Sequence, residues 1–234
     1  MAVSIRGVVT VLLPGTGSDD DYLRRAFAGP LQDAGTSVIT VAPEPERLVA
    51  GYLQAMDDAA RQYGRIAVGG VSLGAVLAVR WALAHPGSTL AVLAVLPPWT
   101  GAPDGAPAAL SARHTAETLR HDGLAATTAA MRVSSPAWLA DELARSWSRQ
   151  WPALPDAMEE AAACVAPTRA QLTALEAPLA VVAASDDLVH PASVAADWAT
   201  WAPHAALSTV RLEDFGPDPD LLGAAALAAL GQIG

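Results

Sequence analysis

The chain has 234 residues, is 52% hydrophobic and 16% charged, and carries a net charge of -10. Such a chain can bury a large core, which excludes intrinsic disorder, and its acidic balance lacks the basic footprint that a nucleic-acid partner needs. The one cysteine, Cys164, excludes an internal disulfide and any multi-cysteine metal site.

Short apolar runs rich in β-branched residues alternate with longer helical patterns, the rhythm of a mostly parallel sheet covered by helices. Strands are expected near Ile5–Leu13, Ser37–Val41, Arg65–Gly70, Thr89–Leu96, Leu179–Ala184 and Leu207–Leu212. Helices fit Asp20–Ala34, Pro45–Tyr63, Leu73–His85, Ala192–Trp201 and Pro219–Leu230. The first apolar run, followed by glycines and Asp19 to Asp21, reads as a buried strand rather than a signal peptide. The apolar tail Leu221 to Ile233 is too short to span a bilayer, so a cytoplasmic protein with no membrane span is expected. The oligomeric state is open.

The rhythm breaks after Pro97-Pro98. Residues 99–177 are helical in pattern and hold four of the seven tryptophans: Trp99, Trp138, Trp147 and Trp151. This segment is expected to be a helical cap inserted into a core made of residues 1–98 and 178–234. Trp99, Trp138 and Trp147 are candidates for the wall of a substrate pocket, although the same residues would also serve to bind the cap to the core.

The most specific motif is Gly70-Val71-Ser72-Leu73-Gly74, set between an apolar strand and a helix. A G-x-S-x-G turn in that context presents the serine hydroxyl at the top of a sheet, beside a helix N-terminus that favours developing negative charge. The plainer reading is a glycine-rich strand-to-helix turn with an N-capping serine. On this motif and its setting the chain resembles the α/β-hydrolases over nearly its whole length, apart from the insertion. The resemblance implies Ser72 as nucleophile. It also implies an oxyanion hole built from the main-chain N–H groups of Leu73 and of Thr16, in Leu13-Pro14-Gly15-Thr16-Gly17. Among the adjacent acids in Ser185-Asp186-Asp187-Leu188-Val189-His190-Pro191, the family's spacing to a proline selects Asp187 as the catalytic acid, with Asp186 as the alternative.

The family places its histidine after the last strand, and here Glu213-Asp214-Phe215-Gly216-Pro217-Asp218 contains none. Topology ranks the five histidines instead. Chemistry in an open parallel sheet lies at the carboxyl ends of the strands. His85 and His204 each precede a strand and belong at the opposite edge. His190 follows the strand carrying Asp187 and is the first candidate base, oriented by Asp187 or by Asp214; His114 and His121, in the insertion, follow. The expected function is hydrolysis of a carboxylic ester or thioester of a small apolar substrate through an acyl-enzyme, with no cofactor or metal required. The alternatives are a diverged, non-catalytic member binding an apolar ligand or partner, and a lyase or cyclase using the same pocket. Acids clustered at the active rim, Asp19 to Asp21, Asp186, Asp187, Glu213 and Asp214, would disfavour anionic substrates.

Overall fold

The computed structural model describes residues 3–234; Met1 and Ala2, the first two positions of the expected core, lie outside the described residues. Six strands form one sheet in the order β2-β1-β3-β4-β5-β6, and every pairing is parallel. They are β1 (Val9–Leu13), β2 (Ser37–Thr40), β3 (Ile66–Val71), β4 (Thr89–Val95), β5 (Leu179–Ala184) and β6 (Ala205–Val210). The central strands read as continuous apolar runs because both faces are covered; all six residues of β5 are buried.

Helices α1 (Asp20–Asp33), α2 (Leu48–Tyr63) and α3 (Leu73–Ala84) follow the first three strands in turn. Asp19 starts α1 by accepting the Tyr22 N–H at 3.0 Å, and Asp20 and Asp21 add negative charge at its positive end. Between β4 and β5 lie α4 (Pro107–Ser134, broken at Gly123), α5 (Ala137–Gln150), α6 (Leu154–Ala162) and the short α7 (Arg169–Thr173). Then come α8 (Ala192–Trp201), the single turn α9 (Leu212–Phe215) and α10 (Asp220–Gly231). Among the described residues, no helix is long and apolar enough to cross a membrane.

Two cores flank the sheet. On one face Leu23, Phe27 and Leu31 of α1 meet Leu222, Ala226 and Leu230 of α10. On the other, Tyr52 and Met56 of α2, the largely buried α3 and Trp198 of α8 pack together. A smaller cluster inside the insertion joins Leu119 of α4, Trp147 of α5, and Leu154 and Met158 of α6.

Element boundaries shift where a local bond intervenes. The first strand begins at Val9 rather than Ile5, because Gly7 takes a φ of +74° and its N–H donates to the Gly35 carbonyl. The last strand begins two residues earlier than expected and stops at Val210, because the Leu212 N–H is captured by Asp186 and starts α9. Pro45–Arg47 form a 3-10 turn ahead of α2.

Candidate functional site

The sheet reverses direction of winding between β1 and β3, which carry the loop Pro14–Gly17 and Ser72 at their carboxyl ends. This is the switch point at which open α/β sheets form crevices. Ser72 has φ 55° and ψ -114°, a left-handed conformation rare for a residue with a side chain. The turn is tight enough to demand glycine on both sides. A Cβ on Gly70 or Gly74 would stand well inside van der Waals contact of the Leu13 carbonyl oxygen. Backbone crowding of this kind is what forces Ser72 outward, and strain of this size, about 1–3 kcal/mol, persists only where the surroundings hold it.

The Ser72 side chain meets an imidazole. His190 Nε2 lies 2.9 Å from Ser72 Oγ, and His190 Nδ1 lies 2.7 Å from Asp187 Oδ2. Asp187 Oδ1 accepts the N–H groups of Val189 at 2.8 Å and His190 at 3.1 Å. Four consecutive residues after β5 thus close a turn on one carboxylate, and that turn carries both acid and imidazole. Burial pushes the Asp187 carboxyl up, but the His190 bond and charge, with the two N–H donors, outweigh it and hold the group below the ordinary carboxylate value. An ionised Asp187 accepts the proton on Nδ1. Nε2 is then left bare to accept the serine hydroxyl.

The other candidates lie elsewhere. Asp186 accepts the N–H groups of Leu212 at 2.6 Å and Glu213 at 3.4 Å, so it ties the β5 loop to α9 and does not hold the imidazole. These main-chain donors hold its carboxyl below the ordinary value. Asp214 makes no bond to His190 among the described residues. The His85 ring bonds the Trp81 carbonyl, and the main-chain carbonyl of His204 accepts the Leu179 N–H at the start of β5, both at the far edge of the sheet. His121 pairs with its exposed neighbour Asp122. His114 lines the same cavity as Ser72 and makes no bond to it.

Thr16 and Leu73 flank the serine. The oxyanion-loop candidate reaches it directly: a Cβ on Gly15 would lie 3.3 Å from Ser72 Cβ. Among the described residues, neither the Thr16 nor the Leu73 main-chain N–H donates to another protein group.

The hydroxyl opens into a cavity of about 650 Å³ between the sheet and the insertion. Trp99, Trp138 and Trp147 line it, as do Leu139 and Leu143 of α5. The wall is not uniformly apolar. Ser111, Thr115 and Thr118, at helical spacing on α4, also line it, a signal that the sequence held at four- and three-residue intervals. No arginine lines the cavity among the described residues. Four of the seven acids expected to charge the rim pair with arginines: Asp20 with Arg24, Asp21 with Arg24, Arg25 and Arg145, Asp19 with Arg145, and Glu213 with Arg211.

Neither a protein-family model nor a curated protein matches the chain. Solved structures do. MenH from S. aureus aligns with a TM-score of 0.72 at 14% identity, over 95% of this chain and 93% of that one. An alpha/beta hydrolase enzyme from a Medee basin deep-sea metagenome library aligns at 0.71 and 14% identity, over 100% of this chain and 93% of that one. The chain has the α/β-hydrolase fold. A thermophilic esterase from Thermogutta terrifontis, at 0.66 and 17% identity, covers 96% of this chain and 89% of its own. Within this α/β-hydrolase fold, the stretch after β6 carries Phe215 rather than histidine. Phe215 is buried and packs edge-on against Trp138, with ring centroids 5.7 Å apart, so that position builds the cavity wall.

Proposed function

We propose that the protein is a serine hydrolase that cleaves a carboxylic ester or thioester of a small, uncharged, largely apolar substrate through an acyl-enzyme. The observation that carries this reading is the hydrogen-bonded chain Ser72–His190–Asp187 opening into the cavity.

In the proposed mechanism, His190 Nε2 takes the Ser72 proton as Oγ attacks the substrate carbonyl. The main-chain N–H groups of Thr16 and Leu73 receive the negative charge that develops on the carbonyl oxygen, aided by the N-terminus of α3. The imidazolium, stabilised by ionised Asp187, returns its proton to the leaving oxygen or sulfur as the acyl–heteroatom bond breaks. Water then repeats the sequence on the acyl-enzyme and frees the carboxylic acid. Residues 99–177 act as a cap that encloses the acyl group.

The stretch after the last strand has no histidine, and the imidazole 2.9 Å from Ser72 Oγ supports the catalytic reading over a non-catalytic one. A cavity lined by no arginine among the described residues disfavours an anionic substrate, and Ser111, Thr115 and Thr118 suit one with a few oxygen atoms. Hydrolysis of p-nitrophenyl acetate, butyrate and octanoate by the purified protein tests the proposal. Turnover that disappears in Ser72→Ala is expected; equal turnover in the variant would refute it.

A further inference from the structure

Helix α5 grips the loop after β1 at three consecutive residues. Gln150 Nε2 donates to the Ser18 carbonyl oxygen at 3.1 Å and to Ser146 Oγ at 2.7 Å, and both side chains are buried. Arg145 Nη2 donates to the two carboxylate oxygens of Asp19 at 2.9 and 3.2 Å, while its Nη1 donates to Asp21 at 2.7 Å. Asp19 is only 3% exposed. Between helix and loop, the Trp147 indole covers Gly17 so closely that a Cβ there would lie 2.8 Å from Nε1.

The other side of the same loop rests on Ser72 through Gly15. The loop is therefore held between the serine turn and α5. On its own it has little to fix it. Glycines at 15 and 17 leave the backbone free to pivot; among the described residues its own bonds are Ser18 N–H to the Gly15 carbonyl at 3.0 Å and, at the α1 end, the Tyr22 N–H to Asp19 Oδ1 at 3.0 Å. A buried carboxylate needs a cation and a buried carbonyl needs a donor. For Asp19 and Ser18, both come from the insertion.

We propose that α5 positions the Thr16 N–H for the oxyanion, with Arg145 and Gln150 as the positioning residues. This rests on the reading of Ser72 as nucleophile. Neither side chain touches the reacting atoms; Gln150 acts through the Ser18 carbonyl, two residues beyond Thr16, and Arg145 through the Asp19 carboxylate, three residues beyond it. An oxyanion donor works only when set about 2.7–3.1 Å from the charged oxygen, and a misplacement near 1 Å costs on the order of 100-fold. Loosening the grip should therefore lower kcat and leave ground-state binding nearly unchanged.

The test uses the full chain with Gln150→Leu, Arg145→Met and Arg145→Lys. Arg132→Ala, which breaks an exposed pair with Asp141 away from the loop, is the control. Activity is measured per folded molecule, judged by near-UV circular dichroism. Gln150→Leu should lower kcat about 10-fold or more with KM within twofold, and should weaken a trifluoromethyl ketone, which mimics the tetrahedral adduct, by the same factor. Arg145→Met should lose more, Arg145→Lys should recover part of it, and Arg132→Ala should match the unaltered protein. Amide exchange at residues 16–19 should quicken in Gln150→Leu, a change that a dead enzyme would still report. Gln150→Leu that folds but keeps kcat and ketone affinity within twofold would overturn the proposal. If the unaltered protein hydrolyses no ester at Ser72, the proposed function fails instead, and unchanged exchange at residues 16–19 would separately overturn the grip.

Discussion

Ser72 and His190 stand 118 positions apart in the chain and 2.9 Å apart in space, and Asp187 lies three residues before the histidine it holds. A catalytic reading of that geometry makes Asp187 responsible for the tautomer of the imidazole. An asparagine at this position can offer its amide N–H to Nδ1, which would leave Nε2 protonated and unable to accept from the serine. Asp187→Asn should therefore lower kcat by about 1,000- to 10,000-fold in ester hydrolysis while the protein stays folded. Strain at Ser72 can be weighed separately from chemistry. Alanine keeps the strained φ and glycine relieves it, at some cost in chain entropy. Ser72→Gly should therefore be more stable than Ser72→Ala by about 1 kcal/mol in urea unfolding. Equal midpoints would show the turn to be unstrained.

Among the elements, the β3–α3 turn is the most constrained and was also the most legible. Gly70 and Gly74 both face the Leu13 carbonyl oxygen, a backbone atom that cannot move aside. Gly74→Ala should cost about 2–3 kcal/mol, read as a fall of roughly 5–10 °C in Tm. The β5 loop was legible through topology: a histidine after a strand lies at the carboxyl rim, and one before a strand does not. Neither α9 nor the α5 grip could be read this way. The start of α9 depends on Asp186, 26 residues upstream of Leu212, and Arg145 meets Asp19 across 126 residues. An arginine or glutamine on an amphipathic helix looks the same in sequence whether it faces water or a buried loop.

Across the whole molecule, the alternation of apolar runs and helical patterns already contained the parallel sheet, since each strand had to be covered on both faces. The insertion was legible as helices, but the way it seats was not. Acid should dismantle this arrangement. Asp21, Asp186 and Asp187 have carboxyls held below their ordinary values, so the unfolded chain takes up protons first as the pH falls. The stability they contribute is complete above the ordinary carboxylate range and is lost as the pH drops through their lowered values. Melting should change little between about pH 7 and 5 and fall steeply below about pH 4. Asp187→Asn should flatten part of that fall.

The proposed mechanism has the imidazole on the β5 loop activate Ser72, although the stretch after the last strand offers none. Its most direct test is the second-order rate constant for covalent labelling of Ser72 by a fluorophosphonate, followed by intact-protein mass spectrometry in the unaltered protein and in folded His190→Ala. A general base contributes about 100- to 10,000-fold, so labelling should slow by at least about 100-fold in the variant. Labelling of Ser72 within threefold of the unaltered rate, or no labelling of the unaltered protein, would contradict a role for His190 as the base.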